Sequence, residues 1–246
     1  MTGELRLIPL RGIPELEEGD DLAALLVAAA RGAGIEEDDV LVVAQKAVSK
    51  VEGRVVHLGG IEPSQRAHEL AGDGDPRRIE VILGEARDVV RTRPPLVIAE
   101  TRHGFVCASA GVDASNAKGP DTLVLLPVDP DASAARIRSR VLELVGASVG
   151  VVISDSFGRA WRLGTTDVAI GVAGVTALLD LDGKRDSAGY ELHTTQIAVA
   201  DEIAGAAQLV MGKLDAIPAA IVRGLRLRGD GRGSDLVMPR VRDLFR

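Results

Sequence analysis

Hydrophobic residues in this chain form short runs separated by polar or glycine-containing segments. Residues 40–43 and 149–153 are unbroken runs of mostly β-branched side chains, which predict buried strands. Shorter apolar runs predict further strands at residues 5–10, 96–100, 105–110 and 122–127. The small apolar residues 167–174 predict either a strand or a tightly packed backbone. Residues 236–246 are predicted to pack back as a last strand.

Apolar residues at helical spacing predict helices between these strands. The helices share an Asp, Ser or Thr at the N-terminal boundary, and these capping residues are Asp20 with Asp21, Ser64, Asp75, the segment 131–133, and Thr194 or Thr195. Gly212 is predicted to end the last helix. Three polar segments predict loops, namely the acidic residues 36–39, residues 181–189, and the glycine- and arginine-rich residues 223–234.

The order of these elements predicts a mixed α+β fold with largely antiparallel sheets and packed helices. Several neighbouring strands have short links, which indicate antiparallel pairing, and the spacing lacks the regular alternation of a doubly wound parallel fold. A length of 246 residues is enough for one large domain or two small ones. We find no repeat and no low-complexity linker, so we predict a single domain over residues 1–246.

Composition narrows the classes of function. Hydrophobic residues make up 46% of the chain, which indicates a globular protein. A net charge of −7 and an aromatic content of 2% argue against binding to nucleic acid. The single cysteine, Cys107, excludes a disulfide within the chain and a cysteine-based zinc site, and it is predicted to be a small core residue. Neither a signal region nor a membrane span is evident, so we predict a soluble cytoplasmic protein.

Two predicted strand ends carry carboxylates with polar neighbours. Asp155 and Ser156 follow the run 149–153, and Asp113 with Asn116 follows the strand predicted at 105–110. Oxygen ligands on rigid strand ends suit a hard cation such as Mg²⁺ or Mn²⁺, and two carboxylates from separate strands can share one or two such ions. The alternative is that Asp, Ser and Gly simply form turns.

Two lysines follow the buried run 40–43. Lys46 and Lys50 lie where an ammonium group can meet a phosphate, although a solvated helix surface is an equal alternative. The chain contains neither the G-x-x-x-x-G-K-[ST] sequence of P-loop proteins nor a G-x-S-x-G nucleophile elbow. The four histidines lack paired helical spacing, which favours structural or surface roles over metal binding.

Six short segments together resemble one family, the coenzyme F-420:L-glutamate ligases of deazaflavin biosynthesis. The matching segments are Arg11-Gly12-Ile13-Pro14 before Gly19-Asp20-Asp21-Leu22, Ser49-Lys50-Val51-Glu52-Gly53-Arg54, Gly111-Val112-Asp113-Ala114-Ser115-Asn116, Ser154-Asp155-Ser156-Phe157-Gly158-Arg159, Ala198-Val199-Ala200-Asp201-Glu202, and residues 206–212. They occur in the family's order and span almost the whole chain.

The resemblance implies a GTP-dependent ligase. GTP phosphorylates the carboxylate of the coenzyme precursor to an acyl phosphate, and the amine of L-glutamate attacks it; further glutamates are added through gamma links. The family is also implied to use Mg²⁺ or Mn²⁺ with a monovalent cation such as K⁺, and to form an intertwined homodimer of α+β fold, with two intertwined subdomains as one possible organisation of the domain. A C-terminal flavin domain, present in some relatives, is not expected here.

The resemblance also assigns roles to residues. Asp113 and Asp155 are implied to bind one metal ion, and Ser156 and Gln208 a second, with Lys50, Asp113 and Asp155 as the catalytic residues. Gln208 stands where we expect Glu in the family, and a neutral amide is a weaker ligand for a hard ion. Gln45 and Lys46 replace small hydroxyl residues. The implied GTP contacts are Arg11, Gly12, Ile13, Pro14, Gln45, Lys46, Lys50, Asn116, Ala206, Ala207, Gln208, Leu209, Val210, Met211, Gly212 and Lys213.

Two other functions remain open on residue chemistry alone. A metal-dependent phosphohydrolase also requires clustered acids. A non-catalytic nucleotide-binding module needs the same phosphate contacts without turnover.

Overall fold

Residues 4–245 are described by a computed structural model. The strands are β1 (Arg6–Pro9), β2 (Val40–Ala44), β3 (Val55–His57), β4 (Ala86–Arg93), β5 (Leu96–Thr101), β6 (Val106–Ala108), β7 (Thr122–Val124), β8 (Gly150–Arg159), β9 (Arg162–Ala173), β10 (Leu179–Asp180), β11 (Gln196–Ile197) and β12 (Ala219–Arg223). The α-helices are α1 (Leu22–Ala29), α2 (Gln45–Val51), α3 (Gln65–Ala71), α4 (Pro76–Glu85), α5 (Pro130–Val145) and α6 (Val199–Met211).

A five-stranded sheet in the order β1-β12-β2-β8-β9 forms the centre of the fold. β2 and β8 run parallel, and the other neighbours in this sheet are antiparallel. α1 and α5 pack on the face that carries Leu41 and Val43, whereas α6 packs on the face that carries Val40 and Val42. Because successive strand residues point to opposite faces, a strand covered on both faces needs apolar residues at every position. This explains the unbroken apolar run in β2.

A second layer is built from the segment between β3 and β7. Its two antiparallel sheets, β3-β7 and β4-β5-β6, pack with α3 and α4 around a separate apolar cluster that includes Ile79, Ile82, Val97 and Leu123. The predicted mixed α+β fold with mostly antiparallel sheets is therefore confirmed.

Three of the predicted helix starts are confirmed by side-chain hydrogen bonds. The carboxylate of Asp21 accepts from the Ala24 amide at 3.0 Å, and the carboxylate of Asp75 accepts from the Arg77 amide at 2.9 Å. The hydroxyl of Ser64 accepts from the amide of Ala67 at 3.2 Å. Each bond satisfies an amide that has no partner within the helix.

Two predicted helix starts are wrong. The carboxylate of Asp129 caps α5, because Asp131 instead accepts hydrogen bonds from the amides of Val172 and Gly233 and so joins the helix to β9. Neither Thr194 nor Thr195 caps α6, since residues 196–197 pair with β10 before the helix begins.

Two further predictions need correction. The predicted tail strand is wrong over residues 236–245, where the chain forms a 3-10 turn at Arg240–Arg242. Residues 1–3 and 246, which belong to the predicted domain, lie outside the described part of the chain. The predicted solvated loop 36–39 contains one buried residue, because Asp39 is only 1% exposed.

None of the helices within residues 4–245 combines the length and the hydrophobicity that a membrane span requires.

Gly171 in β9 allows α5 to approach the sheet closely. A Cβ atom at this position would lie 2.4 Å from the carbonyl oxygen of Pro130, too close without backbone movement. Gly171→Ala is therefore expected to lower the free energy of unfolding by about 1–3 kcal/mol, as overpacking does elsewhere. Gly158→Ala is the matched control in the same hairpin, because a Cβ there meets nothing within 4 Å. Urea unfolding of both variants tests this, and equal midpoints would contradict the close contact.

Candidate functional site

A cavity of about 310 Å³ opens at the carboxyl end of β2, next to β8. Six parts of the chain line it, namely residues 13–16, residues 44–47 with Lys50 around the start of α2, Asn116, Asp155 with Ser156 of β8, Asp167 of β9, and residues 211–214 with 216–218 at and after the end of α6. The parallel pairing of β2 with β8 places the ends of the two buried apolar runs side by side. The cavity therefore forms where the two strands predicted to be buried leave the core.

β8 continues past Asp155, so the prediction that the strand ends there is wrong. Residues 154–158 pair with β9 in a hairpin, with Asp155 opposite Val168 and Ser156 opposite Asp167. The strand persists because β9 supplies backbone partners after the apolar core has ended. A bulge between Ile153 and Ser154 shifts the register at this boundary. Just beyond this irregularity, Asp155 and Ser156 border the cavity.

Lys46 and Asp113 form an ion pair at the site. The Lys46 ammonium lies 2.6 Å from Asp113 Oδ2 and donates to the Ser115 hydroxyl at 2.6 Å. The amide of Ser115 donates to Asp113 Oδ1 at 2.7 Å, and its hydroxyl donates to Oδ2 at 3.0 Å. Burial opposes ionisation of Asp113, but the hydrogen bonds from Lys46 and Ser115 outweigh it and hold its pKa below the ordinary value. Asp113 is therefore a carboxylate at neutral pH.

Asp155 has the opposite electrostatic environment. Burial raises its pKa to about 7, and the negative charges of Asp113 and Asp167 add to that rise, against a hydrogen bond from the Ser156 amide and the charge of Lys46. The three acids are thus near enough for their charges to interact. Such a set becomes more favourable when a cation neutralises it, and its donors are hard oxygen atoms that fit Mg²⁺ or Mn²⁺. Among the side chains of residues 4–245, no three His, Cys, Asp or Glu are already grouped as a metal site.

Asp167 is a site residue that the sequence analysis did not identify. Its carboxylate accepts hydrogen bonds from the hydroxyls of Ser154 at 3.0 Å and Ser156 at 2.6 Å. Its backbone amide donates to the side-chain oxygen of Gln208 at 3.3 Å. Asp167 therefore brings together Ser156 and Gln208, the two residues implied for a second metal ion. The available signal was a single acid at the start of the apolar stretch 167–174.

Comparison with known proteins agrees with the resemblance seen in the sequence. A family model described as F420-0:Gamma-glutamyl ligase matches residues 12–224. The chain belongs to the F420-0:gamma-glutamyl ligase family. The protein named coenzyme F420:L-glutamate ligase from Methanopyrus kandleri is 46% identical over 98% of both chains. Its namesake from Methanothermobacter thermautotrophicus is 43% identical over 98% of this chain and 99% of its own, and that from Methanocaldococcus jannaschii is 46% identical over 86% of both.

Only some of the implied GTP contacts lie at the cavity. The implied contacts that line it are Ile13, Pro14, Gln45, Lys46, Lys50, Asn116, Met211, Gly212 and Lys213. Arg11 and Gly12 are exposed just before it, and residues 206–210 lie on α6. Within that helix Ala207 packs into the core whereas Leu209 is 81% exposed. A helix presents its residues around its whole circumference, so these five cannot share one contact surface.

Gln45 carries an unpaired donor at the cavity. The residue is 1% exposed, and its side-chain oxygen accepts from the Ser49 hydroxyl at 2.9 Å. Its Nε2 atom is buried without a hydrogen-bond partner. A buried donor of this kind is costly unless a ligand or a water molecule accepts from it.

Cys107 is a buried residue close enough to Asp155 for the two groups to interact electrostatically. The residue is 6% exposed, as the sequence predicted for a core position. Burial raises the pKa of its thiol to about 12, and the charge of Asp155 contributes in the same direction. The thiol therefore stays protonated at physiological pH.

Proposed function

We propose that this chain ligates L-glutamate to the carboxylate of a coenzyme F420 precursor at the expense of GTP. The supporting observation is that, in a member of this family, Asp155 and Lys46 border one cavity and Lys46 is paired with Asp113. In this reaction the carboxylate attacks the terminal phosphorus of GTP and GDP leaves. The glutamate amine then attacks the acyl phosphate carbonyl, loses a proton and expels phosphate. A further glutamate is added when the new gamma-carboxylate is activated in the same way.

The lysines of α2 supply the positive charge that this reaction requires. A triphosphate and a carboxylate repel each other, so their approach depends on positive charge and alignment. Lys50 is paired with Glu15 at 2.5 Å at the cavity wall, and we assign it to neutralising the transferred phosphoryl group. The unpaired Nε2 donor of Gln45 is assigned to an oxygen atom of the nucleotide.

A divalent cation is part of the proposal. The residues assigned to holding Mg²⁺ or Mn²⁺ all provide side-chain oxygen atoms as ligands. They are Asp113, Asp155, Ser156 and Gln208. The bound ion stabilises negative charge on the phosphoryl oxygens during transfer. A monovalent cation such as K⁺ and a cytoplasmic location belong to the same proposal.

The function is tested by incubating the purified protein with Mg²⁺, GTP, L-glutamate and the coenzyme precursor. Phosphate release is expected only when all three substrates are present, and mass spectrometry is expected to find the product heavier by whole glutamyl residues. Phosphate release from GTP alone would favour a phosphohydrolase. GTP binding without any phosphate release would favour a non-catalytic module. A parallel reaction with ATP measures the nucleotide preference.

Asp167→Asn is expected to lower the ligation rate about 10–100-fold, the usual effect of removing a group that orients a metal ligand. The amide cannot accept from both Ser154 and Ser156 as the carboxylate does, so Ser156 loses its fixed orientation. The effect should fall on kcat more than on the KM for glutamate. Asp201→Asn is the matched control, because Asp201 also bonds to β9, at the Ala169 amide, without lining the cavity. Equal kinetics in the two variants would remove Asp167 from the site.

We also propose a homodimer. Its support is a group of exposed apolar side chains, in which Trp161 is 83% exposed, Leu163 99% and Phe245 66%. The rings of Trp161 and Phe245 stand 4.9 Å apart, so the hairpin tip and the C-terminal segment form one patch. Light scattering is expected to give twice the mass of the chain, and a monomer would contradict the proposal.

A further inference from the structure

Asp113 and Asp155 form the acid pair at which a divalent cation is expected. The ammonium group of Lys46 interacts with both of these acids. Its ammonium lies 2.6 Å from Asp113 Oδ2, and its side chain is only 15% exposed. It stands in the first turn of α2, directly after the end of β2, and Ala44 at that end is in register with Ser154 of β8. Its charge therefore also acts on Asp155, whose pKa it lowers against the stronger effect of burial. One ammonium group therefore interacts electrostatically with both carboxyl groups.

The oxygen atoms of Asp113 already have hydrogen-bond donors. Oδ1 accepts from the Ser115 amide at 2.7 Å, and Oδ2 accepts from the Ser115 hydroxyl at 3.0 Å in addition to its pairing with Lys46. A divalent ion bound at Oδ2 would stand within a few ångströms of the ammonium. Two unit positive charges about 4 Å apart already repel strongly near a protein surface, and a double charge doubles that repulsion. The ion and the ammonium therefore weaken each other's binding at this carboxylate.

The cavity offers the ammonium another anionic partner. Lys46 lines the same cavity as Lys50 and Lys213, and a lysine has a flexible four-carbon stem with a point charge at its end. A nucleotide phosphate in this cavity would lie within the range of that stem. If the ammonium of Lys46 leaves Asp113 and pairs with the phosphate, it keeps an anionic partner. Oδ2 of Asp113 then becomes accessible to a metal ion.

We propose that Lys46 is the resident cation of Asp113 and Asp155, and that a divalent ion binds this acid pair strongly only after a nucleotide phosphate has drawn Lys46 away. This inference rests on the proposed function, because it assumes that the cavity accepts a nucleotide. It assigns Lys46 an ordering role, in which metal binding at the acids waits for the nucleotide. By thermodynamic linkage, the metal ion must then also strengthen nucleotide binding by the same factor.

The test is Mn²⁺ binding to the full chain, measured from the free-ion signal in electron paramagnetic resonance, with and without GDP. Lys46→Met is expected to bind Mn²⁺ at least tenfold more tightly than the wild type when GDP is absent. The increase in Mn²⁺ affinity caused by GDP is expected to be at least fivefold smaller in this variant. Lys46→Arg retains the charge and is expected to behave as the wild type.

Lys118→Met is the matched control for loss of one positive charge. Lys118 is exposed, and its ammonium is paired with Glu17 at 2.7 Å on the surface. It is expected to leave the affinity for Mn²⁺ within twofold of the wild type. Lys46→Gln provides a second neutral variant, and circular dichroism checks that each variant is folded.

The inference fails if neutral variants at Lys46 bind Mn²⁺ within twofold of the wild type, if they do not bind it at all, or if Lys118→Met shows the same gain. The proposed function fails separately, if wild-type protein forms no glutamylated product from GTP. Product formation combined with unchanged Mn²⁺ binding would overturn only the role of Lys46.

Discussion

Asp155→Asn is expected to lower GTP-dependent glutamate ligation by roughly 1,000-fold, the scale seen when one preorganised electrostatic group is removed from an active site. The change keeps the shape of the side chain but removes a charged oxygen ligand from the acid pair. The measurement is product formation at saturating Mg²⁺. Asp180→Asn is the control, because Asp180 is exposed on β10, away from the cavity, and wild-type activity is expected there. Near-normal activity of Asp155→Asn would remove Asp155 from the mechanism.

The same substitution should stabilise the protein when metal is removed by EDTA. The pKa of Asp155 is about 7 in the folded chain against an ordinary value of 3.8, chiefly because of burial. The folded chain therefore holds this proton over a range in which the unfolded chain has lost it. The contribution to stability is complete below about pH 4 and is lost as the pH rises through 7. Asparagine does not ionise and should avoid that loss.

Thermal unfolding in EDTA checks this pH dependence. The melting temperature of Asp155→Asn is expected to equal that of the wild type near pH 4 and to exceed it by roughly 5 °C at pH 8. A difference that is the same at every pH would mean that the Asp155 carboxyl titrates normally in the folded chain.

Asp39→Ala is expected to cost about 3–5 kcal/mol of stability, the range for removing one partner of a buried ion pair. Asp39 is 1% exposed, and Arg223 donates to its two oxygens in parallel at 2.8 Å each. The Glu36 amide also donates to Oδ2, at 2.8 Å. Loss of the carboxylate leaves a guanidinium that is 16% exposed with only Glu36 as an acidic partner. The pair joins the end of β12 to the segment before β2.

Urea unfolding measures this cost, because urea does not screen charges as guanidinium chloride does. Glu143→Ala is the comparison, since Glu143 forms an exposed ion pair with Arg140 at 3.0 Å on α5. That pair is expected to contribute less than about 1 kcal/mol. If the two substitutions cost the same, Asp39 belongs to the solvated loop that the sequence predicted.

The sequence was sufficient for elements whose signal is local. β2 and the first half of β8 are covered on both faces, which favours an unbroken apolar run, and Asp21, Ser64 and Asp75 mark their own helix starts. Part of the site could be predicted from the sequence for the same reason. Asp155 follows a long apolar run, and Lys46 follows another.

Features that depend on partners far apart in the chain could not be predicted from the sequence. β12 is a strand of only five residues that the sequence analysis did not predict, and its place in the sheet depends on pairing with β1 and β2. The burial of Asp39 depends on Arg223, which lies far along the chain. Asp167 is placed in the site by its register with Ser156, and a hairpin register cannot be read from either strand alone.

The position of β12 between β1 and β2 has a consequence for biosynthesis. β1 cannot take its place in the sheet until β12, which lies far later in the chain, has been translated. A nascent chain that stops before residue 219 lacks the strand that pairs with both β1 and β2, so β1 has no partner in the sheet and one edge of β2 is unpaired. Because it exposes unpaired strand edges, such an intermediate is expected to bind chaperones. We therefore expect the central sheet to close only after β12 has been translated.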